Sequence, residues 1–327
     1  MTTGFIPLVD LEPWFNGDEQ ARLELAQQVD AHLQRCGFLV VVNHGIEQSV
    51  MSDTRAAATE FFHTPEQDKA KLTSTNGAYR GWVGAGKESN AATYGIDTPP
   101  DLKETFAFAC VEVEDESVRT THPSWYAPNL WPENVPSLQP VAEQFWRSAR
   151  DLADELLQLF ALALGLEQNH LLDRCRNSTS SVNLNWYWPY TRQDPVEGQF
   201  RIGPHTDFGT FTILDRQPGM GGLQVLDDDG TWVDAPTVDG SLIVNTGDML
   251  TQWANDRWRS NEHRVLPPAV DAPHEELLSL VFFHEPDADA MIEPFETCVS
   301  AENPARYEAI ASMDYLAEKF AALAVSD

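Results

Sequence analysis

RIGPHTDFGTFTILDR, at residues 201–216, is the stretch of the sequence that most directly predicts the fold. Its second half alternates β-branched or aromatic residues with others, which is typical of a strand. Successive side chains of a strand point to opposite faces, so His205 and Asp207 are predicted to share a face while Thr206 points away. An imidazole and a carboxylate on one face supply two ligands for a metal ion. The tripeptide alone is equally compatible with an ordinary polar turn.

Short runs of β-branched and aromatic residues surround this stretch. At least seven of them lie between about residues 180 and 285, and turn sequences such as Asp228-Asp229-Gly230 separate them. Short strands at this spacing are typical of a sandwich or barrel of the jelly-roll type. We therefore predict a mainly β fold with surrounding α-helices and a double-stranded β-helix (jelly-roll) core.

Most of the predicted helices lie in the first half of the chain. Apolar residues recur at helical spacing over residues 18–36, about 47–62 and about 137–166, and a last helix is predicted at about 304–324. Residues 74–100 are predicted to form a loop. The expected organisation is one integrated unit in three parts: an N-terminal α/β region (1–175) that packs on the barrel, the jelly-roll core (176–290) and a C-terminal helical segment (291–327).

Composition limits the partners that the protein can have. The 327 residues include 51 acidic and 21 basic side chains, for a net charge of -30. Binding of phosphates requires clustered Lys and Arg, so we expect neither nucleic acid nor an anionic membrane surface as a partner. A small-molecule substrate is the expected partner, and the sequence does not indicate an oligomeric state.

The predicted compartment is the cytoplasm. The four cysteines are widely spaced, which favours free, mostly buried thiols in a reducing environment. The first residues lack the basic segment and apolar core of a secretory signal, and no apolar run reaches the length of a membrane span.

A third ligand for the metal ion is predicted at His263, in WRSNEHRVL (258–266). Two histidines and one carboxylate leave coordination positions open, which is typical of non-haem Fe(II) oxygenases. The other histidines considered are weaker candidates. His44 lies in a turn, His274 lies in an acidic, proline-rich loop, and His284 follows the last strand and is expected at the rim of the barrel.

Five segments of the sequence resemble the iron- and 2-oxoglutarate-dependent dioxygenases of the isopenicillin N synthase-like family, and together they cover nearly the whole chain. They are IPLVDL (6–11), GFLVVVNHGI (37–46), RIGPHTDFGTFTIL (201–214), VNTGDMLTQWANDRWRSNEHRV (244–265) and LSLVFFHEPD (278–287). The resemblance implies that His205, Asp207 and His263 bind Fe(II). It also implies that 2-oxoglutarate is the co-substrate, that O2 is the oxidant and that ascorbate can serve as a reductant.

The implied reaction oxidises an unactivated C–H bond of a small molecule and releases succinate and CO2. Hydroxylation, desaturation and cyclisation all begin with hydrogen abstraction from the substrate, and the sequence does not separate them.

The segments that would hold 2-oxoglutarate depart from the family pattern. The family binds the far carboxylate through an Arg and a Ser two residues later on the last strand. Here Ser279 stands at the serine position, but Leu277 stands at the arginine position. Asn185 and Tyr187 match an Asn-x-Tyr segment that also contacts the co-substrate. The resemblance therefore assigns Ser279, Tyr187 and Asn185 to 2-oxoglutarate but provides no cation, although a buried carboxylate without one is costly.

Three other arginines are candidates for the missing charge. Arg201 precedes His205 by four residues and would point inward on an unbroken strand, but the Gly-Pro pair between them leaves that direction open. Arg264 is expected to face the exterior, and Arg192 lies on a loop that could cover the site. Arg201 and Phe211 are the predicted substrate-binding residues, and Phe211 is equally compatible with the core.

Leu277 leaves an alternative enzyme open, a 2-oxoglutarate-independent Fe(II)/O2 oxidase of the isopenicillin N synthase type, in which the substrate supplies all the electrons. A second alternative is a non-catalytic binding protein on the same fold, against which the intact set of three ligands argues.

Overall fold

The computed structural model describes residues 4–75, 78–96, 98–189, 195–219, 221–269 and 275–323. The strands are β1 (Leu8–Asp10), β2 (Phe38–Val42), β3 (Gly81–Val83), β4 (Glu104–Ala109), β5 (Ser181–Tyr187), β6 (Ile202–His205), β7 (Phe211–Arg216), β8 (Gly222–Leu226), β9 (Trp232–Asp234), β10 (Leu242–Thr246), β11 (His263–Leu266), β12 (Leu277–His284), β13 (Met291–Ile292) and β14 (Ile310–Ala311). The helices are α1 (Glu12–Asn16), α2 (Glu19–Cys36), α3 (Gln48–Phe62), α4 (Glu66–Lys69), α5 (Val118–Thr121), α6 (Leu138–Ala163), α7 (Asp248–Trp253) and α8 (Ser312–Leu323).

Two sheets form the core. The large sheet has the strand order β1-β2-β10-β7-β12-β5-β4-β3, and the small sheet has the order β6-β11-β8-β9. From β5 to β12 the chain passes back and forth between the two sheets, and the neighbouring strands of this region pair antiparallel. This path is typical of a jelly-roll. The predicted mainly β, jelly-roll fold is therefore confirmed.

Helix α6 covers the outer face of the large sheet. Its Trp146 packs edge-on against Phe282 of β12, with ring centroids 6.1 Å apart, and its Phe160 packs against Phe211 of β7 at 5.4 Å. Because side chains alternate along a strand, neighbours of these aromatic residues, such as Thr212, point to the inner face. The helix thus leaves that inner face free to form a cavity.

Gly37 joins α2 to β2. Its φ of 67° is left-handed, and a Cβ at this position would overlap the carbonyl oxygen of Arg259. Glycine is therefore required where the helix ends and the chain turns into the sheet.

Three local predictions are wrong. Residues 74–100 include β3, which pairs with β4 at the edge of the large sheet, instead of loop alone. The last helix begins at Ser312, not near residue 304, because the chain first forms the short strand β14. His284 does not lie at the rim of the barrel, since its side chain is completely buried and stacks on Phe211.

The large sheet crosses the predicted boundary at residue 175. Strands β1 to β4 come from the N-terminal region, where β2 pairs with β10 of the core and β4 pairs with β5. The division into three parts remains a prediction, but the hydrogen bonding joins the first two in a single sheet.

All four cysteines, Cys36, Cys110, Cys175 and Cys298, are free and buried, as predicted. No helix in the part of the chain that the structure describes combines the length and the apolar character of a membrane span.

A buried ion pair fixes α4 against the large sheet. The Lys69 ammonium lies 2.6 Å from the Glu104 carboxylate, and the two side chains are 4% and 0% exposed. Lys69 also donates to the Phe62 carbonyl oxygen at 3.0 Å, and the Trp82 indole donates to Glu104 at 2.8 Å. Removal of one member of such a pair leaves an uncompensated buried charge.

We expect Lys69→Met to lower the free energy of unfolding by about 3–5 kcal/mol, because Glu104 would stay buried without its cation. Lys69→Met combined with Glu104→Gln should recover most of the loss, since the amide is neutral and still accepts from Trp82. Urea unfolding measures both, with the exposed Lys71→Met as the control. An equal loss in the single and double variants would contradict this account.

Candidate metal centre

Three side chains with metal-binding atoms converge between the sheets. His205 ends β6 and lies directly opposite His263 on β11, with ring centroids 4.2 Å apart. Oδ1 of Asp207 lies 3.6 Å from Nε2 of His205 and 3.7 Å from Nε2 of His263. The three ligand atoms all lie within 4.8 Å of one another, a spacing that one cation can bridge.

The element that carries Asp207 is not the one predicted. Strand β6 ends at His205, so Asp207 lies in the connection to β7 rather than on the same strand. The start of α7 holds this connection in place, because the Asp248 amide donates to the Asp207 carbonyl oxygen at 2.8 Å and the Gly247 amide donates to the Thr210 carbonyl oxygen at 2.8 Å. A Cβ at Gly247 would overlap the Gly209 carbonyl oxygen. The connection and α7 therefore pack directly backbone to backbone.

Hydrogen bonds outside the centre orient each ligand. Nδ1 of His205 lies 2.8 Å from the Gly203 carbonyl oxygen, and Nδ1 of His263 lies 3.1 Å from the Asn261 carbonyl oxygen. A carbonyl oxygen can only accept, so each Nδ1 carries the hydrogen and each Nε2 keeps its lone pair for a metal ion.

The Asp207 carboxylate is oriented in the same way. Its Oδ2 accepts hydrogen bonds from the Thr212 hydroxyl and from the Asn245 amide, the latter at 2.7 Å. Oδ1 is left to face the two histidines. Thr212 and Asn245 lie side by side on β7 and β10, so the large sheet positions the ligand.

The ionisation states suit a cation. Burial lowers the pKa of His205, and burial together with the nearby His205 lowers the pKa of His263 to about 4. Burial opposes ionisation of Asp207, but the positive charges of His263 and His205 in their protonated forms and the bonds from Thr212 and Asn245 outweigh it and lower its pKa. Neutral imidazoles and an ionised carboxylate are the forms that bind metal ions, so these residues fit Fe(II).

A cavity of about 520 Å³ lies beside the three ligands. Asn185, Tyr187 and Ser279, the residues predicted to bind 2-oxoglutarate, all line it. The Tyr187 and Ser279 hydroxyl oxygens are 3.4 Å apart, and Asn185 accepts a hydrogen bond from the Thr105 hydroxyl at 2.9 Å. The structure thus brings the predicted co-substrate residues and the predicted ligands to one cavity, whose volume is ordinary for a small-molecule site.

Among the described residues, Arg201 and Arg216 are the arginines that line this cavity, and the sequence predicted only Arg201. Arg201 is 3% exposed, and its guanidinium carbon lies 5.1 Å from the centre of the Tyr187 ring. Arg216, at the end of β7, was missed because its position depends on which strand lies beside it. The sequence does contain one indication of its position. Arg216 follows Thr212 by four residues, an even number, so both side chains lie on the same face of the strand.

Other candidate residues lie elsewhere. Phe211 does not line the cavity, because it is on the opposite face of β7 and packs in the core, so we no longer assign it to the substrate. Arg264 is also outside the cavity lining, and its guanidinium carbon lies 4.0 Å from the centre of the Trp232 ring. His44 is buried in its turn near the Gly240 carbonyl oxygen. Arg192 and His274 lie outside the described residues.

Glu285 is a buried carboxyl group behind the centre, against Gly209. Its Oε2 has no hydrogen-bond partner within the described ranges. Burial, with the negative charge of Asp207, raises the pKa of Glu285 to about 8. The side chain is therefore mostly protonated at neutral pH.

Comparisons with known proteins agree with this geometry. Residues 6–134 match the family described as non-haem dioxygenase in morphine synthesis N-terminal, and residues 179–286 match the 2OG-Fe(II) oxygenase superfamily. Validamycin A dioxygenase of Streptomyces hygroscopicus subsp. limoneus is 36% identical over 293 residues, which are 89% of this chain and 80% of that protein. Proline hydroxylase buaE of Petromyces alliaceus is 31% identical, over 86% of this chain and 87% of that protein.

Solved structures are similar over nearly the whole chain. A full-length protein of Neurospora crassa, crystallised in complex with alpha-KG and thymine, has a TM-score of 0.83 and 27% identity, covering 97% of this chain and 96% of that one. A putative 2OG-Fe(II) oxygenase family protein from Caulobacter crescentus has a TM-score of 0.83 and 27% identity, covering 97% and 98%.

We expect Asn245→Ala to weaken binding of a divalent metal ion by about 10–100-fold, because Asp207 would lose a bond that orients it. Anaerobic Fe(II) titration measures the affinity, with the exposed Asn16→Ala as the control. Unchanged affinity would show that Asn245 does not support the ligand.

Glu285→Gln should raise the stability of the metal-free protein in a pH-dependent way. The folded pKa of about 8 is above the unfolded value of about 4.3, so folding with Glu285 becomes less favourable as the pH rises between them. Each unit of difference between the folded and unfolded pKa changes the free energy of unfolding by about 1.4 kcal/mol. Thermal unfolding from pH 4 to 9 should show a gain that grows with pH and levels off near pH 8. The exposed Glu293→Gln is the control, and a gain independent of pH would contradict the buried acid.

Proposed function

This chain belongs to the 2OG-Fe(II) oxygenase superfamily, and from that premise we propose that it oxidises an unactivated C–H bond of a small molecule with Fe(II), O2 and 2-oxoglutarate. The observation that carries the proposal is the set of His205, Asp207 and His263, with each ligand atom left free by an outer hydrogen bond. We assign Fe(II) to these three residues. The bound ion would supply the activation of O2.

The chain's own residues have the other roles. The hydroxyls of Tyr187 and Ser279 can donate to a carboxylate of 2-oxoglutarate inside the cavity, and the Asn185 amide lies on the same face of β5 as Tyr187. The two sheets bury the Asp207 and His263 side chains to 6% and 9% exposure, which limits the access of water to the reacting atoms. Hydrogen abstraction is the step common to hydroxylation, desaturation and cyclisation.

Relatives support a small-molecule substrate. One is named for validamycin A, another for proline, and a structural neighbour holds thymine. The four free, buried cysteines support action in the reducing cytoplasm.

A 2-oxoglutarate-independent oxidase of the isopenicillin N synthase type is the second candidate, and Leu277 is the observation that favours it. The complexes of similar structures with alpha-KG weigh against it. A purely binding role is disfavoured because all three ligands are present and oriented.

Succinate formation tests the proposal. We expect the Fe(II)-loaded protein, given O2, ascorbate and 2-oxoglutarate, to release succinate in proportion to substrate oxidised, and His205→Ala to abolish both succinate release and tight Fe(II) binding. Candidate substrates can be screened by this readout. Substrate oxidation that does not require 2-oxoglutarate would overturn the proposal in favour of the oxidase.

A further inference from the structure

We propose that Arg216 is the cation that pairs with the far carboxylate of 2-oxoglutarate, an inference that rests on the proposed function. A diacid that chelates the metal at one end brings a second carboxylate into a buried cavity. That charge needs a partner, because an unpaired buried carboxylate is costly. The basic residues that line the cavity, within the described part of the chain, are Arg201 and Arg216.

Strand β7 connects Arg216 to the metal centre. Thr212, Leu214 and Arg216 alternate along the strand and all line the cavity. Thr212 donates to Asp207, so the strand begins beside the metal ligand. Arg216 lies four residues further on, about 13 Å along the strand at 3.3 Å per residue. A short diacid and a long arginine side chain can span that distance together.

The register of the sheet places Arg216 beside the other predicted carboxylate-binding groups. Ser279 on β12 lies directly opposite Arg216 on β7, and it lies opposite Asn185 on β5. Side chains in such cross-strand pairs have Cβ atoms about 4.5–5.5 Å apart. The Tyr187 hydroxyl lies 3.4 Å from that of Ser279. The Arg216 side chain therefore starts beside Ser279 on the same face of the sheet, and Arg216, Ser279 and Tyr187 all line one cavity.

Toward the described residues, the guanidinium of Arg216 donates hydrogen bonds from one of its nitrogens. Its Nη2 donates to the Ala235 carbonyl oxygen at 2.7 Å and to the Thr237 hydroxyl at 2.6 Å, and both acceptors are neutral. Nε and Nη1 make no hydrogen bond to the residues that the structure describes. Asp234 is the nearby negative charge, but its Oδ1 accepts from the Gln224 amide at 2.9 Å. An arginine fixed on one side by neutral acceptors is suited to bind a carboxylate on the other.

Arg201 is less well placed for this role. It enters from the β6 side, and its guanidinium lies over the Tyr187 ring instead of beside Ser279. Leu277, two residues before Ser279 on the same face of β12, contributes an apolar surface. The positive charge thus comes from the neighbouring strand and not from β12 itself.

Calorimetric titration of 2-oxoglutarate into the Mn(II)-loaded protein tests the assignment without turnover. We expect Arg216→Gln to weaken 2-oxoglutarate binding by about 10–100-fold while Mn(II) affinity stays unchanged. Arg201→Gln is the comparison and should weaken it far less. Arg264→Gln, which removes an arginine outside the cavity, is the matched control.

A double variant that moves the positive charge from β7 to β12 gives a sharper test. Leu277→Arg combined with Arg216→Gln should restore most of the lost affinity, which a merely misfolded variant would not do. Normal binding by Arg216→Gln, or a large loss in Arg201→Gln alone, would overturn the assignment and leave the proposed function intact. If the unmodified Mn(II)-loaded protein does not bind 2-oxoglutarate, the proposed function fails, and the assignment fails with it.

Discussion

The Asp207 carboxylate is the group on which the rest of the site depends. One oxygen accepts from Thr212 and Asn245 of the large sheet, and the other faces His205 and His263 of the small sheet. The candidate metal centre is therefore formed by residues from both sheets and connects them. A buried carboxylate is costly unless it accepts hydrogen bonds, and the bonds that satisfy Oδ2 also orient Oδ1 toward the two histidines.

The sequence predicted the architecture well because the jelly-roll rests on local signals. Alternating strands, turn residues and the helical periodicity of α6 are visible in any short window. The motif and the resemblance predict His205, Asp207 and His263 as ligands, and the structure brings the three side chains together, although the prediction that His205 and Asp207 share one strand is wrong. The true arrangement depends on hydrogen bonds from α7 to the connection that carries Asp207, which no local periodicity encodes.

Other features could not be predicted because they depend on which strands become neighbours. Arg216 lies next to Ser279 only because β7 and β12 pair in one register. His284 was expected at a rim, but the outer face of the large sheet is covered by α6, so its ring is enclosed and stacked on Phe211. Phe211, which the sequence predicts to bind the substrate, belongs to the same enclosed layer. The sequence shows which residues of a strand share a face. It does not show which of the two faces points into the cavity, because that depends on how the helices and sheets pack.

Because the backbones of Gly247 and Gly209 are in contact, substitutions at residue 247 are expected to impair the site although Gly247 itself binds no ligand. Any side chain at residue 247 would push against the connection that carries Asp207 and shift the carboxylate relative to both histidines. Residue 247 therefore affects the geometry of the candidate metal site through the backbone, without contributing a side chain to it. A mutational screen for loss of activity would identify residue 247 as essential, although glycine has no side chain that could bind the ion or the substrate.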